Sequence, residues 1–499
     1  MNMNMNMNMN TLITLLLTFS TTLGSCVSTA IHGDAENGST KDTACVETSG
    51  PESGRTAVPA NDFLNSIGVN SAIDDRFEHK EQTAESMRYI GARWIRSGVQ
   101  RSTDVFEYMM ANVPHIRFSI MFDPDGNDRV FEQAAWLKSR DALVALEGVN
   151  EPNNWWITYK GENSGGPYSW KGLALMQRDS YADTKARLGN VDVWSITETG
   201  AEKDNYGLQF AEIPEGADCL MPAGTKYYDC INVHNYFIHP RWPAHSDNQT
   251  WIASESGKKG LVVDGVYDNH GKTWGSGYEG YSEEQLKAMR KVTTETGCTL
   301  NSYKVWSDDN GRPHAKYTEV TDPNSFVSEE EQGLLYMSCY LAQFAQGFEY
   351  TSMYILRDRT DESGNQSFGM VEPLAWEESP LHGYHQRYRK AADYMHNLTT
   401  ILADDASIKN PGKLDYEIQD CPETVHDLLL QKHDGTFCLV IWGENYAGGS
   451  NEITVTFGKK HKLSVYDPTA GTDVIQTVRR SDKISLTMTN KPYIIQLKK

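Results

Sequence analysis

The sequence predicts an α/β protein: a (β/α)8 (TIM) barrel over residues 61–402, followed by a C-terminal all-β sandwich module over residues 403–499. Three observations predict it. From residue 62 onward, eight near-continuous apolar or β-branched runs alternate with helical patterns, as parallel strands covered on both faces require. No glycine-rich phosphate fingerprint follows the first run, which disfavours the runner-up, an open doubly wound sheet. After Asn397 the helical period stops, and alternating strands take over between turn segments such as HDG, NYAGGSN and DPTAG.

In chain order, residues 1–26 read as an export signal. A Met-Asn repeat precedes the apolar stretch Thr11–Gly24, which is too short to span a bilayer comfortably. Leu23-Gly24-Ser25-Cys26 is similar to a bacterial lipobox, whose Cys becomes a lipidated first residue. The first basic residue is Lys41, however, so a plain signal peptide is the alternative. The expected location is secreted or cell-surface lipoprotein. Residues 27–60 read as a flexible tether, with the stretch around 40–62 able to add a strand to the β-module.

The barrel strands are Asn65–Ile73, Arg93–Val99, Arg117–Phe122, Ala142–Asn150, Val191–Thr197, Tyr228–Tyr236, a seventh, and Phe348–Leu356, the last after a long helix starting near Ser328. Strand seven is either Lys291–Thr296 or Ala315–Thr321. No covering helix fits between the two, and consecutive parallel strands need a crossover, so only one can belong to the barrel. The helical pattern Ser282–Arg290 leads into the first, which is therefore the expected strand seven. In the module the strands are Asp427–Lys432, Thr436–Trp442, Glu452–Phe457, His461–Tyr466, Ile484–Met488 and Tyr493–Leu497.

Composition narrows the partners. The 499 residues carry 46 basic and 67 acidic side chains, a formal charge of −21. That repels nucleic acid and anionic membrane surfaces, leaving a lipid anchor as the membrane tie. With 12 Trp and 25 Tyr, planar apolar ligand faces such as sugars are suited. The eight cysteines form no CxxC pair, so no metal or cofactor is expected. Cys219 with Cys230 and Cys421 with Cys438 are close enough to pair in an exported chain; buried free thiols are the alternative.

Active sites of such barrels lie at the C-terminal strand ends. Strand four ends in Asn150-Glu151-Pro152 and strand seven in Thr294-Glu295-Thr296-Gly297. Two carboxylates from different strand ends facing one pocket suit glycoside hydrolysis: one protonates the leaving oxygen, the other attacks the anomeric carbon or activates water. Glu319 competes with Glu295, because it too sits in a Thr-Glu pair.

A strand-four NEP with a strand-seven TE resembles the clan A retaining glycoside hydrolases. The runs FLNSIGVN, ALEGVNEPNN, DCINVHNY, VTTETG and EEQGLLYMSCYLAQFAQGFEYTSMYILRD, with MHNLTTILAD, are similar to a poorly characterised bacterial branch of that clan over roughly residues 60–405. The resemblance implies Glu151 as acid/base, Asn150 at the sugar 2-hydroxyl and Glu295 as nucleophile. It implies that Arg96 holds the nucleophile ionised, and that His234 and Tyr236 contact the nucleophile or sugar. Tyr354 or Arg357 stands where many members place an aromatic platform, although no Trp is found there. Segment Cys298–Val327, with Trp306 and Glu319, is longer than in relatives.

Glu151 is expected to be protonated at rest, raised by its neighbouring carboxylate. Aromatics on the loops after strands four and six, including Trp155, Trp156, Tyr159, Tyr168, Trp170, Trp242 and Trp274, suit an oligo- or polysaccharide. The competing class is a non-catalytic glycan-binding surface protein on a decayed barrel.

Overall fold

The computed structural model describes residues 54–197, 205–234, 236, 289–307, 313–321, 327–362, 364–374, 385–422, 424–446 and 448–498. The export segment, most of the tether, helix Ser282–Arg290 apart from its end, and the loops carrying Trp242 and Trp274 lie outside the described residues.

Eight strands run parallel in one sheet: β1 Ile67–Asn70, β2 Trp94–Ser97, β3 Arg117–Met121, β4 Leu143–Glu147, β5 Asp192–Trp194, β6 Ile231–His234, β7 Lys291–Thr296 and β8 Phe348–Met353. Their order is β6-β7-β8-β1-β2-β3-β4-β5. A parallel bridge from Trp194 to Cys230 closes the circle, with the Ser195 N–H donating to the Cys230 carbonyl at 3.0 Å and the Asp229 N–H to that of Val193 at 2.8 Å. A doubly wound sheet would have two free edges, so the barrel holds. Lys291–Thr296 lies between β6 and β8, whereas Pro313–Thr321 forms an antiparallel hairpin with Ser302–Ser307 outside the barrel.

Period-two alternation sorts the barrel interior into layers. Trp94, Ala145, Trp194, Cys230 and Val292 form a separate buried cluster, with Trp94 and Trp194 edge to face at 5.7 Å. Two residues further along the same strands stand Arg96, Glu147, Asn232 and Thr294, all buried. The helix Glu329–Ala345 starts at a capping box, Ser328 with Glu331, as that sequence favours. The helix Lys80–Ile90 stops at Gly91, whose φ of 73° is the left-handed C-cap that glycine adopts freely.

The C-terminal module is all-β, but its hairpin strands are longer than expected, and Lys413–Leu414 and Tyr416–Gln419 add two short strands. Glu452–Phe457 and His461–Tyr466 merge into one strand, Asn451–Tyr466, because the register slips between Thr456 and His461 without ending the pairing. Its hairpin partner spans Val474–Met488. The first half of Asn451–Tyr466 pairs with Tyr416–Gln419 and the second with Pro492–Leu497. The module is thus one sheet folded over on a long hairpin.

Strand Phe437–Gly443 is buried throughout, since it has two cores to serve. Leu439 and Ile441 face the module's own core, while Cys438, Val440 and Trp442 join the main core of the barrel and its helices. Order begins before residue 61. Arg55–Thr56 pairs with Lys413–Leu414, and Val58–Pro59 with Leu430–Gln431. Ala57 and Ala60 are buried there, so residues 55–60 belong to a two-stranded ribbon with Lys413–Leu414, to the module's sheet through Val58–Pro59 and to the first helix rather than to a tether. Neither proposed disulfide forms. All six described cysteines are free thiols, with Cys230, Cys298, Cys339 and Cys438 buried.

Candidate active site

Above the apolar layer, Arg96 organises the C-terminal mouth of the barrel. Its Nε donates to both Glu147 oxygens at 2.9 Å, and Nη2 donates to Glu147 Oε1 at 2.5 Å and to Asn150 Oδ1 at 2.8 Å. Nη1 donates to Asn70 Oδ1 at 3.1 Å and to Glu295 Oε1. The other Glu295 oxygen accepts the Tyr236 hydroxyl at 2.6 Å. Irregularities at Val233/His234 and between Thr293 and Thr296 break the strand alternation, so adjacent Thr294 and Glu295 both reach the site.

Glu151 stands four residues past β4 in a left-handed backbone, φ 38°, an unfavourable conformation for a residue with a Cβ. Its N–H donates to Thr197 Oγ1 at 2.9 Å, and its carbonyl accepts the Asn154 and Trp155 N–H groups at 2.8 and 2.9 Å. Its side chain meets His234 Nδ1 at 2.7 Å and Asn154 Nδ2 at 3.2 Å. His234 Nδ1 also lies 3.5 Å from Glu295, and its Nε2 lies 3.1 Å from Thr294 Oγ1. One imidazole therefore bridges the two carboxylates from behind.

Arg96, Asn150, Glu151, Trp155, Tyr236, Glu295 and Tyr354 all line one cavity of about 750 Å³, and buried His234 supports it. Tyr354 packs edge to face on Tyr236 and Phe368, at 6.0 and 5.4 Å. Arg357 turns away to Gln82 and Gln386, outside the cavity. Exposed Glu319 lines a different cavity, of about 360 Å³, so the residue brought to Glu151 is Glu295. At the rim, Trp155 is 68% exposed, and Trp156 meets Tyr168 edge to face at 5.3 Å.

The expected resting state of Glu151 is corrected. Burial would raise its carboxyl, but the hydrogen bond and charge of His234, with help from Asn154 and Arg96, push it down to about 2. Burial would lower His234, yet Glu295 and Glu151 hold it above its ordinary value. Their contact thus favours the ionised form of Glu151 and the charged form of His234. Arg96 is likewise held firmly charged, with burial outweighed by Glu147 and Glu295.

Glu151, His234 and Glu295 offer donor atoms within 4.8 Å of one another, a spacing a cation could use. The atoms are already committed, however: His234 Nδ1 to Glu151, and both Glu295 oxygens to Arg96 and Tyr236. The adjoining guanidinium would repel a metal ion.

Glu147, Asn70 and Asn232 join the site without having been singled out from the sequence, and Thr294, there only a neighbour of Glu295, takes part as well. The available signal for Glu147 was a lone carboxylate inside the apolar run ALVALEGVN.

No protein-family model and no curated protein matches the chain. Among solved structures it is similar to an endo-β1,6-glucanase, with 10% identity over 90% of this chain and 93% of that one at a TM-score of 0.42. A β-glucosidase from Thermotoga maritima has 12% identity over 70% of this chain and 98% of that one, TM-score 0.38. A β-L-arabinopyranosidase from Geobacillus stearothermophilus has 9% identity over 88% and 99%, TM-score 0.38. Likeness at this level does not decide family or chemistry; the barrel rests on its own strand pairing.

Proposed function

We propose that the protein is a retaining glycoside hydrolase that cleaves β-linked oligo- or polysaccharide. The observation that carries this reading is the pairing of Glu151 and Glu295 from two strand ends at one cavity, with one oxygen of each carboxylate within 4.8 Å of the other. Retention calls for carboxyl groups about 5–5.5 Å apart, inversion for about 6.5–9.5 Å to admit a water, so the close approach supports retention.

Glu295, ionised beside Arg96 and Tyr236, attacks the anomeric carbon. Glu151 takes the proton from His234 along their 2.7 Å contact and delivers it to the leaving oxygen. Glu151 then acts as base for the water that hydrolyses the glycosyl-enzyme. Trp155 at the rim supports a pyranose ring stacked beyond the cleaved bond, hence an oligomeric substrate. Secretion, through the signal-like residues 1–26, is part of the same proposal and is checked by N-terminal sequencing of the mature protein.

The test is hydrolysis of a polysaccharide panel with product sizing, by wild type and by Glu151→Gln and Glu295→Gln. Loss of roughly 10³-fold or more in each variant is expected where a wild-type substrate is found. Undiminished activity in both would overturn the assignment. Glycan binding without turnover in the wild type would favour the decayed-barrel alternative. A 2-fluoroglycosyl label should map to Glu295.

A further inference from the structure

We infer that Glu147 is a positioning residue of the site: a third, fully buried carboxylate that takes up the charge of Arg96 and so leaves the charge of Glu295 to the sugar. The inference rests on the glycosidase reading above and deepens it.

Glu147 is 0% exposed, with Ala145 and the two tryptophans beneath it and Arg96 beside it. Its partners are Arg96 Nε and Nη2 and Asn232 Nδ2 at 3.0 Å, all donors, and Thr294 Oγ1 at 2.9 Å, whose single proton has Glu147 and Asn232 Oδ1 as alternative acceptors. Such a set suits an ionised carboxylate, which only accepts. Thr294 in turn meets the His234 ring, so Glu147 touches the supports of both Glu295 and Glu151 without reaching the cavity.

Stability alone does not account for it. A buried ion pair typically gains little over apolar side chains of the same volume, and the layer directly below is apolar. The charge count supplies a reason. With Glu147 and Glu295 ionised against Arg96, the inner site carries one surplus negative charge. Positive charge developing on the sugar ring then brings the sum to zero in the transition state. Without Glu147, Arg96 would be matched by Glu295 alone, and the developing cation would meet a site with no negative charge to spare. The five hydrogen bonds from Arg96 to Glu147, Asn70 and Asn150 also fix the guanidinium plane that aims Glu295.

The test uses the full chain and an aryl glycoside that the wild type cleaves. Glu147→Gln keeps the shape and removes the charge. It should lower kcat roughly 10²-fold with little change in KM. The acid limb of its pH profile should move to lower pH, because the whole pull of Arg96 then falls on Glu295. Glu147→Asp, which keeps the charge, should restore the wild-type limb and much of the rate. Azide should rescue Glu295→Gly but not Glu147→Gln. The inference fails if folded Glu147→Gln keeps kcat within threefold, or if both variants lose rate with the limb unmoved. It also fails if neither variant folds, since Glu147 would then serve folding. An inactive wild type removes the functional reading and this inference together; an active one with an indifferent Glu147→Gln removes only the inference.

Discussion

At the residue scale, the proton between Glu151 and His234 governs the site. The two titrate as a pair, so the limbs of any pH profile belong to the dyad. His234 is raised above its ordinary 6.5, and its stabilising charge is fully present below that pH and lost as pH rises through the raised value. Glu151, pushed down to about 2, contributes stability above its ordinary range, lost only as pH falls toward 2. The dyad thus holds one proton from weakly acidic pH to above 6.5. The alkaline limb of kcat/KM should accordingly lie above 6.5, where the proton leaves. In His234→Gln the limb should move to lower pH, and activity on its alkaline side should fall about tenfold for each pH unit the limb moves. An unmoved limb in a folded variant would separate His234 from proton delivery.

At the element scale, the barrel strands depend on the apolar layer beneath the site. A Cβ on Gly68 would come within 2.1 Å of the Trp94 indole, whose Nε1 is bonded to the Ser66 carbonyl at 2.9 Å. Gly68→Ala should therefore cost about 1–3 kcal/mol by overpacking, and Trp94→Ala about 3–5 kcal/mol by leaving a cavity, both read from denaturant midpoints. A second prediction belongs to the strands that carry Trp442. Burial raises the Glu444 carboxyl despite its bond to His426, while His426, otherwise lowered by burial, is raised by Glu444. Both shifts favour the protonated forms in the folded chain, so melting temperature should decline as pH rises past 6.5 and His426 discharges beside a buried carboxylate. Glu444→Gln should flatten that decline; an identical slope in the variant would refute the assignment.

The elements also mark what a chain can disclose. Strand identity was legible because near-continuous apolar or β-branched runs alternate with helical patterns, and strand seven was decided by the helical pattern before Lys291 once the crossover requirement left room for one. The pair Glu151 and Glu295 was legible because NEP and TET close two such runs. The Glu147–Arg96 bond was not, since it joins residues 51 apart in sequence through a register that only closure sets. The state of Glu151 was misjudged for the same reason: His234 approaches it from 83 residues away. The merged strand Asn451–Tyr466 escaped because its polar centre, Gly458 to His461, resembles a turn, while the pairing runs past it.

At the scale of the whole molecule, barrel and module are not separable beads. Trp442, Val440 and Cys438 share the barrel's core, and the Tyr446 hydroxyl donates to Ser338 Oγ at 3.1 Å on the helix Glu329–Ala345. A chain ending at residue 402 would uncover these faces and orphan the strands at 55–59. Such a truncation should be insoluble or melt far below the full chain, and a soluble, fully active barrel would disprove the dependence. The pairing of residues 55–59 has a further consequence during synthesis. Arg55 bonds Tyr416, 361 positions later. Residues 55–59 must wait for their partners at 413–431, and the segment stays open to a protease on a nascent chain until those have emerged.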